Sequence, residues 1–214
     1  MGTCSSCFVL VSIGSAGASC IGFYLPYWIK GVISGPNEPS PLKTFFSTFR
    51  RCNFPQLSAD QTDIVIEREC GRYSSFSDIP SVWWQLATLV VGFGSALTLF
   101  AAVMSFLACW INDMWTRLFI RGLGLLHLGA GLLITLGLLL HPLGWDAPEV
   151  TQACVSSSKY HLGSCHLYWC YFILIAAVTG ELLLFITSLK MEPLVASRSN
   201  YKERYAEYEY AQDV

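Results

Sequence analysis

Four long apolar runs constrain the fold of this chain more than any other feature of its sequence. They cover about residues 7–28, 82–110, 118–140 and 167–189. Each is as long as the roughly 20 residues that a helix needs to cross a bilayer. A backbone in lipid must satisfy its own hydrogen bonds, so all four are predicted to be membrane-spanning helices. Charged residues make up 13% of the chain, where a soluble domain has roughly a quarter.

The first run has a second interpretation, as a cleaved signal peptide. The small residues of "GSAGASC" are of the kind that precede a cleavage site. However, no Lys or Arg precedes the run, and it is longer than the apolar core of a signal peptide. The chain is therefore predicted to keep it as a true span.

The cysteines indicate the orientation of the chain in the membrane more clearly than its Lys and Arg residues do. The Lys and Arg residues occur on both sides of the membrane. Four spans place both termini on one side and the loops 30–81 and 141–166 on the other. The first loop holds Cys52 and Cys70, and the second holds Cys154 and Cys165. Paired cysteines are typical of an oxidising compartment. This predicts extracellular loops and cytoplasmic termini. The polar, tyrosine-rich segment 190–214 is predicted to be a disordered cytoplasmic tail, and the chain is interpreted as a plasma-membrane protein.

The four loop cysteines allow three pairings. Cys52–Cys70 with Cys154–Cys165 is favoured, because each bond then closes a short local loop. Closing a loop of about 15 residues removes unfolded-chain entropy equivalent to about 3 kcal/mol. The alternative is that these thiols remain free in a reducing compartment.

Small residues within the runs predict close contacts between helices, because helices in lipid associate through packing. They recur at a spacing of four in the first run and seven in the third, and they lie near the middle of the fourth. They are predicted to pack within one four-helix bundle, with a partner's helix as the alternative contact. The residues concerned are Gly14, Ala18, Gly22, Gly122, Gly124, Gly129, Gly131 and Gly180.

Two polar residues interrupt the apolar runs: Glu181 near the middle of the fourth, and His127 in the third. A charged carboxylate at that depth is costly, so Glu181 is predicted to be neutral, paired or turned into the bundle. Structural hydrogen bonding is the first interpretation, ahead of contact with a partner protein and of a proton or ion site. His127 is interpreted as a hydrogen-bonded core histidine.

The first loop is too long for a simple connection and is predicted to fold. "TFFSTFRRC" and "TDIVIERE" are strand candidates that a Cys52–Cys70 bond would join. Charged residues surround these cysteines, either as a mutually neutralising solvated surface or as a docking face for another ectodomain. The docking candidates are Arg50, Arg51, Glu67, Arg68 and Arg72, with Glu69 beside them.

Tryptophans fall near the ends of the runs, which is typical of aromatic belts at the two membrane interfaces. Interfacial anchoring is the interpretation for all seven: Trp28, Trp83, Trp84, Trp110, Trp115, Trp145 and Trp169.

Five motifs occur together in an order that resembles one known family. They are "FYLPYWI", "TFRRCNFP", "ECGRYSSFSDIPS", "HPLGWD" and "LGSCHLYW", spread from about Ser19 to Tyr171. This series resembles the lipoma HMGIC fusion partner-like tetraspan family, and within it most closely the founding member and its nearest paralogue. More distantly, the layout is similar to claudins and peripheral myelin protein. Phe49 departs from the claudin pattern, which has a tryptophan at this place before the first loop cysteine.

The resemblance implies a membrane all-α four-helix transmembrane bundle with a small extracellular antiparallel β-sheet, as in claudins, and a Cys52–Cys70 bridge between two strands. It also implies an auxiliary subunit or scaffold for other integral membrane proteins, since some members accompany mechanotransduction channels or inhibitory ligand-gated receptors. The partner is predicted to be a channel, receptor or adhesion protein, and a homo-oligomer is left open. A claudin-like homotypic cell-contact protein is the alternative, and a transporter using Glu181 is the third hypothesis.

The sequence carries no GxSxG, HExxH or P-loop motif, so neither an enzyme nor a cofactor is predicted. The net charge of -2 gives no basic excess for nucleic acid. "CSSC" near the N-terminus is a weak candidate for a metal or redox pair. S-acylation of Cys4 or Cys7 is the better functional interpretation, with an inert pair ahead of both.

Overall fold

The computed structural model describes residues 3–33, 41–57, 64–111 and 114–212. Within them, four helices are long and apolar enough to cross a membrane: α1 Thr3–Tyr24, α2 Val82–Leu107, α3 Arg117–Leu140 and α5 Trp169–Gln212. They form a bundle in which α1 and α3 each lie between α2 and α5. The predicted membrane fold with four spans and a small antiparallel sheet is confirmed.

The ends of the helices differ from the ends of the apolar runs. Residues 25–28, predicted as the end of the first span, form a turn after α1 that leads into the sheet. The apolar part of α5 ends at Met191, whereas its backbone is helical to Gln212. This helical backbone covers the segment predicted to be a disordered tail. Side chains after Met191 lie outside the described residues, and disorder in solution stays a prediction.

Close contacts at glycines hold the bundle together. A Cβ on Gly22 would lie 2.7 Å from Cγ of Leu174, and one on Gly131 would lie 3.1 Å from Cβ of Glu181. A Cβ on Gly124 would collide with Ser188. These positions have room for a hydrogen atom only, so α1 and α3 approach α5 more closely than larger side chains would allow.

Three of the glycines predicted as packing contacts face away from the bundle. Gly14, Gly122 and Gly129 have no atom within 4 Å of an ideal Cβ. The predicted face through Gly14, Ala18 and Gly22 is therefore not a single packing face. Four residues turn an α-helix by slightly more than one full turn, so the direction of the stripe drifts along α1.

Five strands form one antiparallel sheet on the side of the membrane that carries both long loops, here called the loop side. They are β1 Ile29–Ile33, β2 Leu42–Phe46, β3 Arg50–Leu57, β4 Ile64–Arg72 and β5 His166–Leu167, in the spatial order β4-β3-β2-β1-β5. The strand candidate "TFFSTFRRC" is divided into β2 and β3 by a tight turn. There the Ser47 amide donates to the Arg50 carbonyl at 2.8 Å.

The sheet joins the beginning and the end of the bundle. β5 belongs to the second loop, yet it pairs with β1 through Ile29 opposite Leu167 and Lys30 opposite His166. Backbone bonds continue this ladder, because the Tyr168 amide donates to the Trp28 carbonyl at 2.7 Å. The chain leaving α1 is thus hydrogen-bonded to the chain entering α5.

Both loops share one hydrophobic core, which lies between the sheet and the short helix α4 Pro148–Ala153. Its larger members are Ile29, Phe46, Trp84 and Trp145. Disulfides Cys52–Cys70 and Cys154–Cys165 form in the pairing that loop length favours, with Cα–Cα distances of 4.1 and 5.1 Å. We call the five strands, α4 and these two disulfides the loop unit.

Interfacial anchoring is the wrong interpretation for Trp28, Trp84 and Trp145, whose side chains are buried. The Trp28 indole donates to the Gly22 carbonyl at 2.7 Å, and the Trp84 indole donates to the His141 carbonyl at 3.0 Å. All three rings surround the buried imidazole of His141, on which Trp84 stacks at a centroid distance of 5.1 Å. These tryptophans fill the junction between the loop unit and the bundle.

Candidate functional site

Four polar side chains meet inside the bundle, and we call Ser12, Ser15, His127 and Glu181 the polar cluster. His127 Nδ1 lies 2.6 Å from Glu181 Oε2, and Ser12 Oγ lies 3.3 Å from His127 Nε2. The Ser15 hydroxyl donates to Glu181 Oε1 at 2.5 Å, with the Ala177 carbonyl 2.9 Å away as a second acceptor. The polar cluster therefore ties α1 to both α3 and α5.

Helix geometry explains why these residues meet. Ser12, Ser15 and Ser19 follow the spacing that places residues on one face of a helix. Ser19 continues this stripe toward α2, with its Oγ 2.8 Å from Thr98 Oγ1. Glycine provides the space on the facing helix, since a Cβ on Gly180 would lie 3.0 Å from Ser15 Oγ. A polar face on α1 thus packs against small residues of its neighbours.

The polar cluster holds the helices together through hydrogen bonds. A hydroxyl, an imidazole and a carboxyl group in series match the order of a hydrolase triad. Here Ser12, His127 and Glu181 are each 0% exposed, so a substrate cannot reach the hydroxyl. Within the described part of the chain, no group of three or more His, Cys, Asp or Glu side chains is placed to hold a metal ion. The cluster satisfies polar groups that would be costly if left unpaired in lipid.

A second polar group joins the two loops, and we call Arg51, Tyr73 and Glu149 the loop clamp. Arg51 Nη1 pairs with Glu149 Oε1, and the Tyr73 hydroxyl donates to Glu149 Oε2 at 2.9 Å. The Arg51 guanidinium lies 3.6 Å from the ring centroid of Phe54 and 4.5 Å from that of Tyr73. Arg51 and Tyr73 belong to the first loop and Glu149 to the second, so the clamp fixes one loop against the other.

Burial raises the pKa of the Tyr73 phenol above its ordinary value near 10. The nearby Glu149 carboxylate raises it further, whereas the Arg51 guanidinium acts in the opposite direction. The phenol consequently keeps its proton well into the alkaline range and remains a hydrogen-bond donor to Glu149.

The docking candidates divide between internal contacts and the surface. Arg51 is part of the loop clamp, so its charge is already paired with Glu149 of the same chain. Arg50 lies over the exposed ring of Tyr24, 4.4 Å from its centroid, and stands directly opposite Arg72 in the sheet. Docking stays a prediction for the candidates that reach solvent, which are Arg68, Arg72 and, in part, Arg50 and Glu67.

The acylation candidates lie near the N-terminal end of α1. Cys7 is a free, exposed thiol. The side chain of Cys4 lies outside the described residues. Acylation at either position stays a prediction.

Four residues of the two sites were missed by sequence reasoning: Ser12, Ser15, Tyr73 and Glu149. The serine spacing on α1 was a signal that could have found the first two. Glu149 gave no such signal, because it lies 98 positions from Arg51 in the chain. Tyr73 follows the charged end of β4 and is distinguished only by its burial.

Comparisons with known proteins agree with this architecture. A family model described as lipoma HMGIC fusion partner-like protein matches residues 4–191. The LHFPL tetraspan subfamily member 3 protein of Danio rerio is 30% identical over 166 residues, covering 76% of this chain and 69% of that protein. The LHFPL tetraspan subfamily member 2 protein of Homo sapiens is 29% identical over 201 residues, covering 87% of this chain and 85% of that protein.

Proposed function

The chain belongs to the lipoma HMGIC fusion partner-like family, and from this premise we propose that it is a non-enzymatic tetraspan of the plasma membrane that serves as an auxiliary subunit or scaffold for other membrane proteins. Its loops are extracellular and its termini cytoplasmic. Two disulfides within the loop unit support this orientation, because such bonds persist in oxidising compartments.

One observation carries the proposal: the described strands of the two loops and α4 are linked into a single unit. The disulfides pin each loop internally, the loop clamp ties one loop to the other, and β5 pairs with β1 across them. A surface that is already ordered loses little conformational entropy when a partner binds. The loop unit is therefore suited to hold a partner's ectodomain in one orientation.

The spans offer a second contact in the same proposal. Gly14, Gly122 and Gly129 face outward with open space around them, where the backbone of a partner's helix can approach closely. Glu181 does not reach this outer surface, because it bonds to Ser15 and His127 inside the bundle. This pairing supports a structural role for Glu181 over partner contact or transport.

The test is crosslinking at the surface of living cells, followed by identification of the membrane proteins that co-purify. Cys52→Ser is expected to lose both surface delivery and capture of the partner, because β3 and β4 are no longer pinned. Cys109→Ser removes a free cysteine outside the loop unit and should behave as the unmodified chain.

Two outcomes contradict the proposal. If Cys52→Ser reaches the surface and captures the same partner, the pinned loop unit is not the docking element. If the unmodified chain recovers no membrane partner and instead concentrates at contacts between cells that express it alone, homotypic adhesion replaces the scaffold role.

A further inference from the structure

Strand alternation places Lys30, Lys43, Arg50 and Arg72 on one face of the sheet, and we call these residues the basic face. Directly opposite residues of antiparallel strands point to the same side. One row of such partners links Lys30 to Phe45, Phe45 to Cys52, and Cys52 to Cys70. Arg50, Arg72 and Lys43 each lie two residues from a member of this row, so they share its side.

Four described carboxylates of the two loops lie elsewhere. Glu69 alternates with Cys70 and Arg72 along β4 and so points to the other face. Glu67 lies beyond a register shift, opposite Phe54, whose ring is in the core on that other face. Glu149 belongs to the loop clamp, while Asp146 is the partner of Lys159. In the described segments, the contacts of the basic face are to aromatic rings and no carboxylate pairs with any of its four cations. These four carboxylates are thus separated from the four cations of the basic face.

Among the described residues, no carboxylate compensates the repulsion within the basic face. Arg50 and Arg72 are direct cross-strand neighbours, and like charges in that arrangement are destabilising. The Arg50 Nε atom is shielded from solvent and has no hydrogen-bond partner among the described residues. Aromatic rings hold the cations in place instead: Arg50 lies over Tyr24, and Lys30 Nζ lies 5.3 Å from the ring centroid of Tyr168. An anionic ligand would relieve this repulsion and use the unpaired donor.

The lower edge of the basic face lies at the membrane surface. Tyr24 is the last residue of α1, and Tyr168 directly precedes α5. The face therefore begins where two spans end and extends away from the bilayer along the sheet. A segment of another protein that emerges from the membrane beside this chain would meet these cations first.

We propose that the basic face binds an acidic, extended segment next to the membrane in the ectodomain of a partner protein. This inference rests on the proposed function and names the chemistry of the contact. The basic face extends across four strands, a width of about 14 Å, so a matching segment needs carboxylates on several residues. Rings of Tyr24, Phe45 and Tyr168 between the cations add apolar contact to the ionic contact.

The binding experiment uses the full chain in nanodiscs of neutral lipid, with a fluorescent oligoglutamate peptide tethered to a lipid as the probe. Arg72→Glu is expected to weaken binding about tenfold, because it removes one attraction and adds one repulsion. Added salt should weaken binding by the unmodified chain, because this contact is exposed to solvent. Lys43→Glu is the second variant, since its exposed side chain can be exchanged without disturbing the fold.

Lys159→Glu is the matched control, because it makes the same change of charge in the second loop, away from the basic face. Equal loss of binding in Lys159→Glu and Arg72→Glu would overturn the inference, since net charge alone would then explain the effect. No binding of the peptide would also overturn it. Binding of a heparin fragment in place of the peptide would reassign the surface to sulfated glycans.

The crosslinking experiment separates this inference from the proposed function. If Arg72→Glu and Lys43→Glu capture the same partner as the unmodified chain, the basic face is not the contact, and the scaffold role stands. If the unmodified chain captures no partner although the peptide binds to the basic face, the scaffold role fails instead. Loss of capture in both variants, with normal surface delivery, supports both.

Discussion

Removing one member of the His127–Glu181 pair should cost more stability than removing both. Each hydrogen bond within a membrane contributes roughly 0.6–1.7 kcal/mol, and a buried polar group left without a partner costs about 1–3 kcal/mol. His127→Leu breaks the 2.6 Å contact and leaves Glu181 Oε2 without its partner. Glu181→Met leaves His127 Nδ1 without its partner. We expect each single variant to lower the free energy of unfolding by about 2–3 kcal/mol.

The double variant has no unpaired imidazole or carboxyl group left in the bundle. Ser15 retains the Ala177 carbonyl as an acceptor at 2.9 Å, so its hydroxyl stays satisfied. Ser12 loses His127 Nε2 in the double variant just as it does in His127→Leu. The expected loss for the double variant is therefore about 1–2 kcal/mol, well below the sum of the single losses. Isosteric apolar replacement of a buried pair is generally tolerated better than removal of one partner.

The assay is reversible unfolding of the purified chain in mixed micelles by titration with a denaturing detergent. Thr179→Val is the control, because this exposed hydroxyl bonds only within its own helix, to the Ile175 carbonyl. It should change stability by less than about 0.5 kcal/mol. Additive losses in the double variant would refute the reasoning, because the two side chains would then act independently.

Two further pairs of variants test other parts of the structure. Gly124→Leu should prevent the chain from folding, because the leucine side chain would enter the space of Ser188. Gly122 faces outward, so Gly122→Leu should leave the midpoint of thermal unfolding nearly unchanged. The raised pKa of Tyr73 means that its contribution to stability is complete below about pH 10 and declines as the pH rises further. Alkaline titration of the melting temperature should show this decline in the unmodified chain, and a smaller one in Tyr73→Phe. Glu149→Gln should lower the same melting temperature at neutral pH by weakening the loop clamp, and an unchanged value would contradict the role of the clamp.

The membrane architecture was predictable because it depends on local physics. The length and apolarity of a run suffice to identify a span, whatever the rest of the chain does. Local loop closure also favoured the observed disulfides. Hydrogen-bond partners between distant segments were not predictable in the same way. His127 and Glu181 were singled out separately, but 54 residues separate them, and only the packing of α3 on α5 brings them together.

The error at Trp28 and the missed strand β5 both depend on contacts between distant parts of the chain. Hydrophobicity does not tell whether a residue faces lipid or a protein core. Trp28 therefore seemed an interfacial anchor at the end of a span, although it is buried at the start of the sheet. Likewise, the β5 segment is too short to give an alternating pattern of its own, and its strand exists only because β1 is beside it.

Pairing of β1 with β5 has a mechanical consequence. β1 continues from α1 and β5 leads into α5, so a pull on the sheet is divided between two membrane helices. These helices are also bonded to each other at depth, where Ser15 meets Glu181. A force applied outside the bilayer would therefore tilt α1 and α5 together. Separating these helices would require breaking both the β1–β5 pairing and the hydrogen bonds of the polar cluster.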